Sequence, residues 1–233
     1  MAAHADALVV ADGDVDGLLL EELASVDDRP LLIAADGGAV HLLEAGLTPD
    51  VVVGDFDSLS ARDRRRLEAL GVELLVMERD KDESDMELCL LTALERGAAR
   101  IVILGALGVV RPEHSLANLL LLADPRLDAV EVAIAGRGSR ITRVGAVGEP
   151  GACTIEGQPR DFVSLFAVGG AVEGVTTSGL RFGLRDETLL MGPSRGLSNE
   201  LLEPVAKVTT RDGCLIVIHT RRSMADAAPT GGI

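Results

Sequence analysis

The first 140 residues alternate between short apolar runs and segments of helical periodicity. Six apolar runs predict strands: ALVV (7–10), LLIAA (31–35), VVVG (51–54), VELLVM (72–77), RIVILGA (100–106) and VEVAIAG (130–136). The helices between them are predicted to follow Val15 and Gly38, to start at Ser60 and Ser84 as N-caps, and to start near Ser115. Strands that alternate with helices are typical of βαβ units. The pattern therefore predicts an α/β fold whose N-terminal part is a mostly parallel sheet flanked by helices.

The pattern changes from about residue 141. Short β-rich runs, separated by Gly, Pro and Asp, follow one another as ACTIEG, DFVSLFAV, GVTTSGLRF, AKVTT and CLIVIH. Such runs predict a second, all-β domain built as an antiparallel sandwich or barrel. We therefore expect an α/β domain over 1–140 and a β-rich domain over 141–220. The tail 221–233 is small and polar, and we expect it to be disordered.

Composition narrows the class of protein. The 233 residues carry a formal net charge of -15, which argues against a nucleic-acid partner because such binding rests on Lys and Arg. No segment approaches the ~20 apolar residues of a membrane span, and the N-terminal apolar run lacks the basic start of a signal peptide. Three scattered cysteines fit a reducing cytoplasm better than a disulfide framework or a zinc site.

Polar stretches follow four of the predicted strands. They are DGG (36–38), GDFD (54–57), ERDKDESD (78–85) and LGVVRPEH (107–114). An open parallel sheet binds its ligands beyond the carboxyl ends of the strands. Four polar turns at that edge therefore predict a ligand site there.

Asp55 and Asp57 stand two residues apart at the end of a predicted buried strand. Residues i and i+2 of a strand project to the same side, ~6.6 Å apart. Two carboxylates at that spacing can hold Mg²⁺ directly or through its waters. The alternative is an ordinary polar strand end at which Asp57 starts a turn.

The third stretch crowds acids at the start of a predicted helix. Ser84 and Glu87 have the spacing of a capping box, so these two have a structural explanation. That explanation does not account for the other acids of the stretch, which are Asp80, Asp82 and Asp85. Three carboxylates repel one another unless a cation lies among them. Lys81, one of only two lysines in the chain, is a candidate for that cation, as is Mg²⁺.

The fourth stretch offers groups that suit phosphate. Gly105 and Gly108 permit a close approach of the backbone to a ligand, and Arg111 carries a fork of donors that matches phosphate oxygens. Glu113 and His114 precede a predicted helix. His114 is either a phosphate contact or a helix-cap residue.

These four stretches, in this order, resemble the motifs of the thiamine pyrophosphokinase family. The matching residues are Asp36-Gly37-Gly38, Gly54-Asp55-Phe56-Asp57-Ser58, Lys81-Asp82-Glu83-Ser84-Asp85 and Arg111-Pro112-Glu113-His114. In the second half, GVTTSGLRFGL and SRGLSNE resemble the thiamine-binding domain of the family, and the likeness covers residues 7 to 220. Two departures are Ser84, where the family has Thr, and Glu113, where it has Asp on a shorter loop.

The resemblance implies pyrophosphoryl transfer from ATP to the hydroxyl of thiamine, which yields thiamine diphosphate and AMP. It assigns Mg²⁺ to Asp55, Asp57 and Asp85, which are catalytic together with Asp82. It places Asp36 and Asp82 either around the metal-binding acids or in contact with thiamine, and which carboxylate is the base stays open. Phosphates are assigned to Lys81, Arg111 and His114. Glu113 either reaches the point that the family's Asp reaches or serves a different acceptor.

The resemblance also implies a homodimer with thiamine at the subunit interface. Phe182 stacks on the pyrimidine, and Ser198 and Asn199 offer hydrogen bonds. The alternatives are that Phe182 is a core residue and that Ser198 and Asn199 form an ordinary turn. Because the chain has no Trp or Tyr, few other side chains can stack. We expect Phe162 and Phe166 in the core, and Phe56 in the sheet packing.

Three other functions remain open from the sequence. The same chemistry on another acceptor, such as a pterin alcohol, is the nearest, because the fourth motif is altered. A Mg²⁺-dependent phosphohydrolase that uses the D-x-D acids as nucleophile and acid is the second, although it gives no reason for a second domain. The third is a nucleotide-binding sensor without turnover.

Overall fold

The computed structural model describes residues 5–26, 28–78, 80–108, 111–146 and 148–227. Internal contacts divide them into two compact units. Unit 1 holds the chain up to Leu121 and the segment Ala129–Gly136, and unit 2 holds Leu122–Asp128 and the chain from Arg137 onward. The predicted domain ranges 1–140 and 141–220 remain predictions, because a contact pattern does not test whether each part folds alone. Every helix within these residues is too short or too polar to cross a bilayer.

Unit 1 contains a six-stranded parallel sheet with five helices, as the α/β pattern predicts. The strands are β1 (Ala7–Val10), β2 (Leu31–Ala35), β3 (Val51–Gly54), β4 (Glu73–Val76), β5 (Arg100–Leu104) and β6 (Glu131–Gly136). The helices are α1 (Gly17–Ala24), α2 (Gly38–Glu44), α3 (Ala61–Ala69), α4 (Asp85–Glu95) and α5 (Pro112–Leu121). The strand order is β4-β3-β2-β1-β5-β6, and each pair in it is parallel. The order reverses at β1, which places the topological switch point between β1 and β5.

Local signals in the sequence account for these elements. Every residue of β1 and of β3 is buried, as expected for parallel strands whose two faces are both covered. The Ser60 hydroxyl accepts the Asp63 backbone N–H at the start of α3, and the Ser84 hydroxyl accepts the Glu87 N–H at the start of α4. Both predicted N-caps are confirmed. The caps fix where α3 and α4 begin, and each helix starts close to the acids that precede it.

Unit 2 is antiparallel, as predicted for the C-terminal half. Its strands are β7 (Ser139–Val144), β8 (Gly151–Glu156), β9 (Phe162–Ser178), β10 (Glu187–Leu189), β11 (Asn199–Glu200), β12 (Val205–Thr210) and β13 (Asp212–Thr220). Their order is β7-β13-β9-β12-β8, and β10 and β11 also pair with β9. Two predicted runs join into the single 17-residue strand β9. Its first part pairs with β13 and its last part with β12, so one long strand joins the two sets of pairings.

The predicted core positions of Phe162 and Phe166 are wrong. Burial along the first part of β9 alternates, and the inward residues are Val163, Leu165 and Ala167. Phe166 is 36% exposed on the opposite face. Phe162, on that same face, is half-buried beneath the Arg222 guanidinium, 4.5 Å from the ring centroid. Both faces of this run carry apolar residues, so hydrophobicity alone did not reveal which face points inward.

A short helix, α6 (Arg222–Ala227), lies where the sequence predicted a disordered tail. Its first N–H, that of Arg222, donates to Asp161 Oδ1 at 2.9 Å. Asp161 is buried, and its Oδ2 accepts from the Gln158 backbone N–H at 2.9 Å and lies 3.1 Å from His219 Nε2. This buried carboxylate anchors the start of the helix. Residues 228–233 of the predicted tail lie outside the described residues.

Candidate active site

The turn after β2 is shaped by its glycines. Asp36 adopts a left-handed backbone conformation with φ 42°, which is uncommon for a residue with a side chain. A Cβ on Gly38 would lie 2.0 Å from the carbonyl oxygen of Val10, in β1. Only glycine fits there, so the D-G-G turn is pressed against the end of β1. Asp36 is thereby held in place, 7% exposed, at the carboxyl edge of the sheet.

The turn after β3 brings Asp55 and Asp57 together by a route that the sequence did not predict. The strand ends at Gly54, so the spacing of side chains along a strand does not apply to them. Phe56 between them has φ 61°, and the Asp57 backbone N–H donates to Asp55 Oδ1 at 3.1 Å. Phe56 is 7% exposed within the hydrophobic core, as expected. The buried ring anchors a strained turn that projects the two acids.

Three carboxylates meet at this edge. Asp36, Asp55 and Asp57 each offer one oxygen, and these oxygens all lie within 4.8 Å of one another. Asp36 is buried, Asp55 is half-buried and Asp57 is exposed. Like charges at such distances repel, and hard oxygen ligands of this kind suit Mg²⁺.

Asp36 is the most constrained acid of the three. Its Oδ2 accepts the Ser58 backbone N–H at 3.3 Å. Its Oδ1 is buried and, among the residues that the structure describes, has no hydrogen-bond partner. Burial, with the charges of Asp85 and Asp55, raises the pKa of Asp36 above its ordinary value, against the hydrogen bonds from Ser58. A buried carboxylate oxygen with no donor is a natural position for a cation.

Asp85, assigned by the family resemblance to the metal, is engaged differently. At the start of α4 its Oδ1 lies 2.6 Å from Lys81 Nζ, and the two side chains are 31% and 17% exposed. Within the described residues, the carboxylates close enough together to share a metal ion include that of Asp36 and not that of Asp85. Asp82 is exposed. The structure thus places Lys81 beside one of the three acids, Asp85, in agreement with the hypothesis that Lys81 is the cation there.

The segment before α5 has two charged side chains that pair with each other. Arg111 Nε donates to Glu113 Oε1 at 2.7 Å, and both side chains are well exposed. Hydrogen bonds from its own backbone N–H and from Arg111 hold the pKa of Glu113 below its ordinary value. His114 is exposed in the first turn of α5, which starts at Pro112, so it does not cap the helix. Residues 109 and 110 lie outside the described residues.

Gly105 has a different role from the predicted one. It has φ 68°, and a Cβ on it would lie 2.4 Å from the carbonyl oxygen of Ala11. The close approach at Gly105 is therefore to the backbone after β1 and not to a ligand. Gly108 has open space around it, and its N–H donates to Ser115 Oγ at 2.9 Å.

Asp12 is a residue of this edge that the sequence reasoning missed. It follows β1, the strand at the switch point, and it is exposed. A Cβ on Gly37 would lie 2.6–2.8 Å from the atoms of its carboxyl group, so this group lies against the D-G-G turn. The signal was present, because Asp12 also follows an apolar run, as the acids of the other turns do.

The candidate residues of unit 2 differ in exposure. Phe182 is 61% exposed, so its alternative as a core residue is wrong. Ser198 is exposed with φ 59°, and its N–H donates to Ser164 Oγ at 3.1 Å. Asn199 is 6% exposed, and its amide is hydrogen-bonded to the backbone of Phe182. The Asn199 oxygen is thus taken up by backbone N–H groups, and the expected hydrogen bond from Asn199 to a ligand stays a prediction for its remaining amide N–H.

Two family models match the chain, one in each half. The model described as "Thiamin pyrophosphokinase, catalytic domain" matches residues 23–134, and "Thiamin pyrophosphokinase, vitamin B1 binding domain" matches residues 152–215. Together they cover about three quarters of the chain. The first contains the acid cluster, and the second contains Phe182 and Asn199.

Known proteins with the same description resemble the whole chain. A thiamine pyrophosphokinase of Bacillus subtilis (strain 168) is 28% identical over 212 residues, which are 91% of this chain and 97% of the relative. The crystal structure of a thiamine pyrophosphokinase from Bacillus subtilis superposes with a TM-score of 0.79 at 27% identity and covers 92% of this chain and 98% of its own. That of Geobacillus thermodenitrificans gives a TM-score of 0.77 at 28% identity and covers 93% and 97%.

Proposed function

Since the chain belongs to the thiamin pyrophosphokinase family, we propose that it transfers pyrophosphate from ATP to the hydroxyl of thiamine, giving thiamine diphosphate and AMP. The observation that carries the proposal is that both family domains are present in one chain. The chain also aligns with 97% of the length of the Bacillus subtilis relative. The vitamin B1 binding domain gives the second unit a purpose. A pterin acceptor, a phosphohydrolase and a sensor do not explain that domain.

The acid cluster fits a divalent cation. Asp36, Asp55 and Asp57 supply hard oxygen ligands, and Asp36 Oδ1, which has no hydrogen-bond partner among the described residues, favours occupation by a cation. Asp85 retains its proposed metal role, with its charge close enough to act on Asp36. Bound Mg²⁺ neutralises phosphate charge, which lets an acidic edge receive a polyanionic nucleotide.

The remaining side chains position the reactants. In phosphoryl-type transfer a protein contributes mainly positioning and charge. Lys81, held at 2.6 Å by Asp85, offers a preset cation to the nucleotide phosphates. Arg111 and His114 lie exposed before and within the first turn of α5, where they can turn toward phosphate oxygens. The thiamine oxygen attacks the β-phosphorus, a carboxylate at this edge takes the hydroxyl proton, and the bond to the AMP oxygen breaks.

A homodimer is part of the proposal. Large apolar side chains are exposed within residues 182–197, and their exposed fractions are 61% for Phe182, 59% for Leu190, 59% for Met191 and 52% for Leu197. Such exposure is typical of surfaces that a ligand or a partner covers. In the proposed dimer, a second copy of the chain covers residues 182–197 of the first, and the catalytic unit of that second copy faces the thiamine bound there. Size measurement by light scattering tests this, and a monomer at working concentration contradicts it.

A reducing cytoplasm is the proposed location. Cys89, Cys153 and Cys214 are free thiols. Burial raises the pKa of Cys153 to about 11, against the hydrogen bond from Val208, so this thiol is poorly reactive.

The deciding experiment is incubation with Mg·ATP and thiamine, followed by analysis of nucleotides and thiamine esters. AMP with thiamine diphosphate, in equal amounts, is the expected result. ADP with thiamine monophosphate would mean a simple kinase. Phosphate release that does not depend on thiamine would mean a hydrolase, and omission of Mg²⁺ tests the metal.

A further inference from the structure

Two segments of unit 2, residues 179–182 and 199–202, run beside each other as a short antiparallel ladder. Its backbone bonds are Leu202 N–H to the Gly179 carbonyl and Arg181 N–H to the Glu200 carbonyl, both 2.9 Å. At Phe182 the ladder is continued by a side chain and not by backbone. The Asn199 amide takes the place of a strand partner at that point.

The Asn199 side chain binds both backbone groups of Phe182. Its Oδ1 accepts the Phe182 N–H at 3.0 Å, and its Nδ2 donates to the Phe182 carbonyl oxygen at 2.8 Å. The same Oδ1 also accepts the Glu200 N–H at 2.9 Å. Both acceptor positions of that oxygen are therefore filled from within the protein. A direct hydrogen bond from thiamine to this oxygen has no place.

The ring that this amide supports is uncovered. Phe182 is 61% exposed, and its described aromatic contact is the Arg181 guanidinium, 5.4 Å from the ring centroid. Arg181 is itself paired with Glu200 at 3.2 Å. An exposed phenylalanine adds little to folding stability, because little apolar surface is removed from water. A buried amide that fixes the backbone of an exposed ring therefore indicates binding more than folding.

We propose that Asn199 is a positioning residue for the acceptor: it holds the Phe182 backbone so that the ring keeps one orientation for stacking on the aromatic ring of thiamine. This inference rests on the proposed function. Fixing the ring before the ligand arrives removes an ordering cost from binding. On this proposal the effect of Asn199 on thiamine binding passes through Phe182.

The kinetic test is a double-mutant cycle of Asn199→Ala and Phe182→Ala. Each single variant is expected to raise KM for thiamine by about threefold to tenfold, with KM for ATP unchanged. The double variant is expected to match Phe182→Ala alone. Asn199→Ser keeps a small polar side chain that is too short to bridge both backbone groups of Phe182, so it is the second variant if the alanine form folds poorly.

A matched control separates positioning from a general loss of stability. Thr210 is 3% exposed in unit 2, and its hydroxyl accepts the Gly151 backbone N–H at 3.2 Å. Thr210→Val removes a buried side-chain hydrogen bond to backbone outside the two segments. It is expected to lower the melting temperature as Asn199→Ala does, while KM for thiamine stays as in the wild type.

A second readout needs no activity. The chain has no Trp or Tyr, so Phe182→Trp introduces a sole tryptophan at the position in question. Asn199→Ala in that background is expected to lower its fluorescence anisotropy and to increase its quenching by acrylamide, and Thr210→Val is expected to change neither. If the wild type makes no thiamine diphosphate, the proposed function fails, while this measurement still reports whether Asn199 holds the ring.

Two results overturn the inference. One is an Asn199→Ala protein with unchanged KM for thiamine and unchanged anisotropy of the tryptophan. The other is a double variant in which the two rises in KM multiply, because Asn199 then acts on the acceptor by a route that does not involve the ring.

Discussion

Among the described residues, units 1 and 2 each bury one aspartate, and the two aspartates have opposite surroundings. In unit 2, burial would raise the pKa of Asp161, but hydrogen bonds from Arg222, Gln158 and His219 outweigh it and lower the pKa. In unit 1, Asp36 has one oxygen with no hydrogen-bond partner among the described residues, and its pKa is raised. A buried carboxylate with complete bonding anchors the fold. A buried carboxylate that lacks a hydrogen-bond partner on one oxygen and lies among other acids is suited to bind a cation.

The strongest test of this contrast is to remove charge from the exposed side of the acid cluster. We expect Asp55→Asn and Asp57→Asn each to lower kcat by more than about a hundredfold, because each removes a ligand of the cation that would neutralise transition-state charge. The empty protein should unfold no earlier than the wild type, since a charge has left a repulsive group. Activity near the wild-type level at saturating Mg²⁺, in either variant, contradicts the metal assignment.

Substitution of Asp161 should change the stability of the fold. Asp161→Asn is expected to lower the free energy of unfolding by about 1–3 kcal/mol, because buried donors lose their charged acceptor. The lowered pKa means that this stabilisation is present above the ordinary Asp pKa and is lost as pH falls through the lower folded value. Denaturant unfolding of both proteins at neutral and at strongly acidic pH measures it. A difference that persists in full at acidic pH contradicts the anchor.

For Asp36 we expect stability to change with pH in the opposite direction from that of Asp161. Since the folded protein holds a proton on Asp36 more tightly than the unfolded chain does, its stability falls as pH rises above the ordinary Asp pKa. Asp36→Asn removes that loss, and we expect its melting temperature at about pH 7 to be a few degrees higher. The gain in melting temperature on adding Mg²⁺ should shrink in this variant. A variant that is less stable than the wild type without metal would show that Asp36 is a second anchor.

The smallest stability change is expected at Phe182. With the ring exposed, Phe182→Ala should alter the free energy of unfolding by no more than about 0.5 kcal/mol, whereas a core phenylalanine would cost ~3–5 kcal/mol. Thermal unfolding beside the thiamine kinetics measures both quantities on one protein. A large fall in melting temperature would show that a folding contact, and not the acceptor, explains the residue.

Local signals in the sequence were sufficient for most elements of the fold. The six parallel strands follow from their apolar runs. Ser60 and Ser84 mark helix starts, because each hydroxyl accepts the backbone N–H of the residue three positions later. Long-range packing decided what the sequence missed. Nothing local shows that the two runs of β9 form one strand, or that its outward face carries Phe166.

The same division holds in the site. The acidic turns were predictable as a set, because parallel strands end at one edge. That Asp36 joins Asp55 and Asp57, with Asp85 turned to Lys81, depends on how separate turns meet in space. The role of Asn199 was equally hidden, since an amide in a polar turn gives no sign of which backbone it binds.

The crowded glycines after β2 and β5 have a consequence for mutational surveys. Side chains are excluded at Gly38 and Gly105 because backbone carbonyls already fill the space. A saturation scan that scores only growth on thiamine would rank both positions beside the acids, as if they took part in the reaction. The abundance of each variant in the cell would separate the two classes. A side chain in a crowded turn prevents folding and lowers the amount of protein, whereas loss of a carboxylate leaves folded protein that is inactive.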